Sequence, residues 1–488
     1  MVACDAPLGT GRDAGVPSDA ALDGGSPDDA GPDAGLPDAG LDGGPDAGAD
    51  AGEPFVPPTS AFFVGNSFTF GGPVPTLVED LAIYAGWPEP NVEYRAVPGR
   101  TLGWHRADDD SEGAVARIRE GWDVVVLQEQ STRPTDQRGD PERFKDDATW
   151  FYDQIKAANP DARVVLYETW ARRFDHEYYP GSFSDPAMMQ AELRFHYYDA
   201  AERYIPAFST AARPGDVQVA PCGDAWEEQL AVAGEPPRLH ASDSWHASAA
   251  GAYLNALVIY GTIYGSRTDG LVPLRGLDES TALALQASAD RVIGARERGP
   301  VFGRPLAMID GAELRLDCGP LFIDGWPALT ETRGTVGPLS TLGGDATSVR
   351  ITAWEFDGTQ EGGSLDNAFG VDADVSRDSL YVGTFDGHAA ALEREARVVV
   401  RGLPPGRYRV EIFASRDGTD SGRGRLTRYT IEGAHRDLDV ADNADRQAVF
   451  EEVSPDSRGE VLIRVGVSPE GGARFGYIGF VRLTRQTS

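Results

Sequence analysis

The hydrophobic pattern of this chain changes character twice. From about residue 60 to 265, short apolar runs alternate with stretches of helical periodicity. AFFV (61–64), VEYRAV (92–97), DVVVLQ (123–128), ARVVLYET (162–169) and VQVAP (217–221) read as strands. The unbroken apolar runs among them suit strands buried on both faces. Between them the spacing predicts helices over 73–86, about 111–120, about 142–158, 187–205 and about 248–264. Pro75 suits a first helical turn, and Pro206 should end or kink the fourth helix. Strands separated by helices of this length predict a parallel sheet covered on both faces. From about 313 the period falls to two. YRVEIFAS (408–415), LTRYTI (426–431), EVLIRVGV (460–467) and FGYIGFVRL (475–483) are strand candidates, with Asp, Gly, Asn and Pro clustered between them. That pattern predicts an all-β sandwich or jelly roll.

The chain has 488 residues, too many for one ordinary core. The pattern divides it into an acidic spacer (1–58), an α/β domain (59–300) of flavodoxin-like three-layer α/β/α type, and a β-sandwich (313–486). The spacer repeats variants of Pro-Asp-Ala-Gly and sets twelve acidic side chains against one arginine. With so little apolar surface to offset the entropy of ordering, it reads as a charged, extended tether. The whole chain has a formal net charge of −33, which argues against nucleic acid as a partner, since phosphate binding needs clustered Lys and Arg. Three cysteines are too few for a disulfide framework. Cys222 and Cys318 fall in different domains and read as buried thiols. Met-Val-Ala-Cys4 ahead of the spacer resembles a bacterial lipoprotein attachment site, which would tether the folded part to a membrane from outside the cytoplasm. The longest apolar run, 252–264, is too short to cross a bilayer.

Five clusters at predicted strand ends can carry chemistry, because ligands of open α/β sheets bind at the carboxyl ends of the strands. Gly65-Asn66-Ser67 closes the first strand and hands over to a helix. Gly65 permits a sharp turn that leaves the Ser67 hydroxyl open; a strand-ending serine in a tight turn reads the same way. Pro98-Gly99-Arg100 follows the second strand and frees the Gly99 N–H, or is a plain turn. Gln128-Glu129-Gln130-Ser131 follows the third, where an amide can donate to an oxyanion or bond to loop backbone. Glu168-Thr169-Trp170-Ala171-Arg172 forms a cleft wall or substrate contact. Asp243-Ser244-Trp245-His246 precedes the last helix. Asp243 can accept from the Nδ1–H of His246 and leave Nε2 facing Ser67.

The blocks GNSFT, PGRTL, LQEQS and DSWHAS, in this order, resemble the SGNH (GDSL-like) hydrolases over about residues 59–266. The resemblance implies a serine ester hydrolase without a cofactor. Ser67 would be its nucleophile, Asp243 and His246 its triad partners, and Gly99 an oxyanion donor through its backbone N–H, together with that of Ser67. Two blocks depart from the family. Asn66 stands where Asp usually precedes the serine, and Gln128-Glu129-Gln130-Ser131 replaces Gly-x-Asn-Asp. Gln130 falls at the oxyanion position, with Gln128 as the alternative. The second domain (LDCGP, RDSLYVG, GLPPGRYRVEIFASR, YIGFVRL) resembles galactose-binding-like, malectin-like jelly rolls. That implies sugar binding by Trp326, Trp354, Tyr381 or Tyr408, or a structural sandwich with those rings in its core. The expected substrate is an acylated, most simply O-acetylated, carbohydrate or another small ester. A catalytically impaired carbohydrate-binding protein and a lipase or thioesterase are the alternatives.

Overall fold

The computed structural model describes residues 55–211, 216–232, 236–293, 306–419 and 424–487. Cys4 and nearly all of the predicted spacer lie outside them. Five strands, β1 (Ser60–Gly65), β2 (Asn91–Ala96), β3 (Val124–Leu127), β4 (Arg163–Tyr167) and β5 (Val217–Ala220), form one sheet in the order β2-β1-β3-β4-β5. Every pairing is parallel. This is the flavodoxin-like order, with its switch point between β1 and β3.

The helices are α1 (Ser67–Phe70), α2 (Val74–Tyr84), α3 (Leu102–Ala107), α4 (Ala114–Ile118), α5 (Pro141–Ala158), α6 (Pro186–Asp199), α7 (Ile205–Phe208), α8 (Cys222–Leu230), α9 (Ala249–Tyr264) and α10 (Glu279–Val292). Side chains alternate between the faces of a strand, and the two cores follow that rule. Ala61, Phe63, Val124, Val126 and Val165 pack with α2, α8, α9 and α10. Phe62, Val64, Val125, Leu127 and Val164 pack with α3, α4, α5 and α6. The result is a three-layer α/β/α sandwich.

The structure adds elements the pattern did not predict, helices α3, α8 and α10 among them, and it departs from the predicted elements in three places. The strand ending at Gly65 does not run into one helix: Ser67 opens the separate four-residue turn α1. The helix expected over 187–205 does not end at Pro206. It runs from Pro186 to Phe208 through a wider π-type turn over Ala200–Tyr204, where the Ile205 N–H reaches back to the Ala200 carbonyl. Pro206 lies in the first turn of α7, just past that wide turn, which accommodates its missing donor. FGYIGFVRL is two strands, Phe475–Ile478 and Phe480–Arg485, belonging to different sheets and broken at Gly479.

Residues 313–485 form a six-stranded, a four-stranded and a three-stranded antiparallel sheet, with two short helices, Ala373–Arg377 and His388–Ala391, between strands. Inner residues of the six-stranded sheet (Ile351, Val398, Ile463) and of the four-stranded one (Leu316, Val410, Val481) share one core. Trp326, Trp354 and Tyr408 are buried, leaving them no open face for a sugar, and Tyr381 is half-buried against Phe475 and Tyr477. Cys222 and Cys318 are free, buried thiols. The β part packs directly on α2: Trp354 meets Tyr84 edge-on at 5.6 Å, and Arg333 pairs with Asp80 at 2.6 Å. No helix among the described residues is long and apolar enough to cross a membrane.

Candidate active site

The site forms at the carboxyl ends of β1, β3 and β4. Val64 delivers the chain to Gly65, whose carbonyl is fixed from behind by the Val97 N–H at 3.1 Å and by Nε2 of the buried His105 at 2.8 Å. Glycine is required at position 65. A Cβ there would lie 2.3 Å from the Thr69 hydroxyl and 2.6 Å from Gln128 Oε1. Asn66 caps α1: its Oδ1 accepts from the Phe68 N–H at 3.1 Å. Its Nδ2 donates to the Arg100 carbonyl at 3.0 Å and ties the Pro98–Arg100 turn to the Ser67 turn. Gly99 heads that turn at φ +67°, exposed, with open space around its Cα.

Ser67, Asp243 and His246 converge. Ser67 Oγ lies 2.9 Å from His246 Nε2, and His246 Nδ1 lies 2.6 Å from Asp243 Oδ2. Asp243 and His246 are brought together locally. Asp243 Oδ1 accepts from the backbone N–H of Trp245 (3.1 Å) and of His246 (3.0 Å), with Ser244 in the left-handed region at φ +72°. Burial raises the Asp243 pKa, but hydrogen bonds from His246 and from these two backbone groups outweigh it and hold the carboxyl below its usual value. The indole N–H of Trp245 also points at His246 Nδ1, 2.5 Å away. One ring nitrogen cannot serve both neighbours. With the proton on Nδ1, Asp243 takes it, and Nε2 is free to accept from Ser67.

The Gln128–Ser131 block divides its work. Gln128 is buried, and its Oε1 accepts from the Asn66 N–H and from the Thr69 hydroxyl, each at 2.9 Å. Its Nε2 donates to the Glu129 carbonyl, so the amide is occupied in holding the nucleophile turn. Gln130 Oε1 accepts from the N–H and hydroxyl of Thr132, each at 3.0 Å, and from the Arg133 N–H at 3.1 Å. The Gln130 amide nitrogen makes no hydrogen bond among the described residues, and neither do the backbone N–H groups of Ser67 and Gly99. These are the three donors that the resemblance assigns to an oxyanion, and all three are without a protein partner among the described residues.

Sequence reasoning gave Glu129 no role of its own, and Trp170 and Arg172 only a shared one as a cleft wall or substrate contact. Glu129 is fully buried. Its Oε1 accepts from the N–H of Leu102 (3.1 Å) and of Gln130 (2.6 Å), its Oε2 has no partner, and burial pushes its pKa up to about 8 despite those two donors. Trp170 stacks between Phe68 (4.4 Å) and Trp226 (4.3 Å) and donates its indole N–H to the Trp245 carbonyl at 2.9 Å. Arg172 is buried behind Ser131. LQEQS and ETWAR mark these residues as strand-end polar groups, but a single sequence carries no signal for their burial.

Neither a protein-family model nor a curated protein matches the chain. Among solved structures, it is similar to a candidate SGNH hydrolase from Slackia heliotrinireducens, at 25% identity over 41% of this chain and 97% of that one, with a TM-score of 0.33. It is also similar to the lipase/acylhydrolase from Enterococcus faecalis, at 17% identity over 42% of this chain and 95% of that one, TM-score 0.31. A two-domain esterase active on acetylated mannans is similar over 88% of this chain and 92% of its own, at 10% identity and a TM-score of 0.27.

Proposed function

We propose that this chain is an SGNH-type serine ester hydrolase that removes small acyl groups, O-acetyl above all, from a carbohydrate. One observation carries the reading. Ser67, His246 and Asp243 stand in hydrogen-bonded series at 2.9 and 2.6 Å, although Ser67 and His246 are 179 residues apart. The order of the four sequence blocks supports it, and the resemblance of residues 313–486 to carbohydrate-associated jelly rolls supports the substrate class.

The geometry serves acyl transfer. Ser67 Oγ attacks the ester carbonyl as its proton passes to His246 Nε2, and Asp243 stabilises the imidazolium that results. The N–H groups of Ser67 and Gly99 and the Gln130 amide receive the developing oxyanion. The C–O bond to the alcohol breaks, and the leaving alkoxide takes the proton from Nε2. Water, deprotonated by His246, then attacks the acyl-serine and releases the acid and Ser67.

The test is covalent labelling with a fluorophosphonate probe followed by peptide mapping. Label on the Ser67 peptide, absent in Ser67→Ala and strongly slowed in His246→Ala, is the expected outcome. Folded protein that takes no label would refute the hydrolase reading. A chain-length series of p-nitrophenyl esters, with acetate turned over fastest, separates an acetyl esterase from a lipase or thioesterase.

A further inference from the structure

We infer that Arg172 is an anion-recognition residue of this cleft, and that the ester the site accepts carries a carboxylate. The inference rests on the hydrolase reading for the position of the reacting ester. The Arg172 side chain is 5% exposed. Its Nη2 donates to the Ser131 hydroxyl at 2.7 Å, while Nε and Nη1 are buried without a hydrogen-bond partner. No carboxylate forms an ion pair with it among the described residues; the nearby charge of Asp243 and the Tyr178 hydroxyl favour its cationic form. Aromatic rings surround it instead: its Cζ lies 5.4 Å from the Phe68 ring, 5.7 Å from Trp245 and 5.9 Å from Tyr178. Phe68 follows the nucleophile in sequence and Trp245 precedes the base. The guanidinium is therefore lodged between the neighbours of both reacting side chains.

Burying a cation without a counter-charge is costly, and arginine cannot escape the cost by losing its proton. The rings offset part of it through cation–π attraction. Another buried arginine of this chain shows the usual solution: Arg401, 4% exposed, pairs with Glu460 at 3.1 Å and with the Thr352 hydroxyl at 2.8 Å. Arg172 has the hydroxyl but no hydrogen-bonded acid, only the attraction of Asp243. Holding Ser131 needs only one of its donors, and a neutral side chain could provide it. The unused N–H groups suit a carboxylate, which a guanidinium binds through two parallel hydrogen bonds. Trp245 is 39% exposed, so one of the rings covering Arg172 is open to solvent and to a substrate.

The carboxylate can belong to the acyl group, as in a half-ester of a dicarboxylic acid, or to the alcohol, as in a uronate sugar. Two matched pairs distinguish them, assayed with the full chain. The first is mono-p-nitrophenyl succinate against p-nitrophenyl butyrate. The second is O-acetylated methyl glucuronoside against O-acetylated methyl glucoside. In one pair kcat/KM should favour the carboxylate member by roughly 10- to 100-fold, the worth of a hydrogen bond to a charged group. Arg172→Met should lose that preference and Arg172→Lys should keep part of it. Equal rates within both pairs for the wild-type chain would overturn the inference, as would an Arg172→Met variant that loses the same factor on charged and neutral members. Calorimetric binding of the sugar pair, and of monomethyl succinate against methyl butyrate, to Ser67→Ala reads the same preference without turnover. Should Arg172→Met fail to fold, the wild-type preference and the lysine variant decide. Fluorophosphonate labelling of Ser67 separates the two claims. Label without any carboxylate preference sinks the anion site alone, and Arg172-dependent binding without label sinks the hydrolase alone.

Discussion

The side-chain oxygen of Gln128 accepts the backbone N–H of Asn66 at 2.9 Å, so the end of β3 holds the turn that presents Ser67. The same oxygen accepts from the Thr69 hydroxyl, and the residue is buried. Replacing Gln128 with leucine leaves two buried donors unpartnered, at about 1–3 kcal/mol each. Gln128→Leu should therefore lose stability by that order and label more slowly at Ser67. Gln128→Glu keeps the acceptor and should retain more of both. Denaturant unfolding together with probe-labelling rates checks this. A leucine variant that matches the parent in both would show that the clamp does not position the nucleophile.

Glu129 gives the fold a pH dependence of defined sign. Its carboxyl bridges the N–H groups of Leu102 and Gln130, and so joins the loop after β2 to the loop after β3. Burial raises its pKa to about 8, so the native state holds a proton that the unfolded chain releases at lower pH. The stability this provides is complete below the unfolded pKa and is lost as pH rises through about 8. Across that window the loss approaches about 4 kcal/mol, an order-of-magnitude figure from the size of the shift. Glu129→Gln keeps an acceptor for the two N–H groups and cannot ionise. Its melting temperature should fall less than the parent's between pH 6 and pH 9. Parallel curves for the two proteins would place the ionisation elsewhere.

What the sequence shows of this site depends on how local each contact is. Asp243 and His246 are three residues apart on one turn, and their pairing is legible from DSWH. The meeting of Ser67 with His246 needs the sheet, yet it follows once both are placed at strand ends. Gln128 and Gln130 are equivalent amides by composition. Only packing decides that one clamps the nucleophile turn while the other keeps its nitrogen free. The burial of Glu129 and Arg172 is a tertiary property with no periodic signal. By contrast, α10 was findable. Asp278 caps it by accepting from the Thr281 N–H at 2.9 Å, a signature present in the sequence as Asp-Glu-Ser-Thr.

Trp170 sets the spacing between nucleophile and base. Its ring lies against Phe68, next to Ser67, and its indole N–H holds the Trp245 carbonyl, next to His246. Trp170→Phe keeps much of the stack and removes the hydrogen bond. The expected cost is about 1 kcal/mol of stability with a larger fall in kcat than in KM, because ground-state binding is untouched. Trp170→Ala removes the ring as well and should cost about 3–5 kcal/mol. Steady-state kinetics beside thermal melts distinguish the two effects. A Phe variant with parental kcat would confine Trp170 to packing.

The contact between α2 and the β part predicts that the two parts unfold together. Trp354, from the six-stranded sheet, joins the core formed by α2 and α9, and Val399 beside it does the same. Arg333 pairs with Asp80 and, at 3.1 Å, with Glu89. These ion pairs are partly exposed and contribute little alone, so the buried tryptophan dominates. Trp354→Ala opens a cavity at the contact and should cost about 3–5 kcal/mol. Arg333→Ala should cost about 1 kcal/mol or less. The melting transition of the parent should be single, and that of Trp354→Ala should split or broaden as the parts uncouple. Differential scanning calorimetry of the three proteins tests this. Two separate transitions in the parent would mean that the contact is too weak to couple the sheets. An unsplit, unshifted transition in Trp354→Ala would mean that other residues carry the coupling.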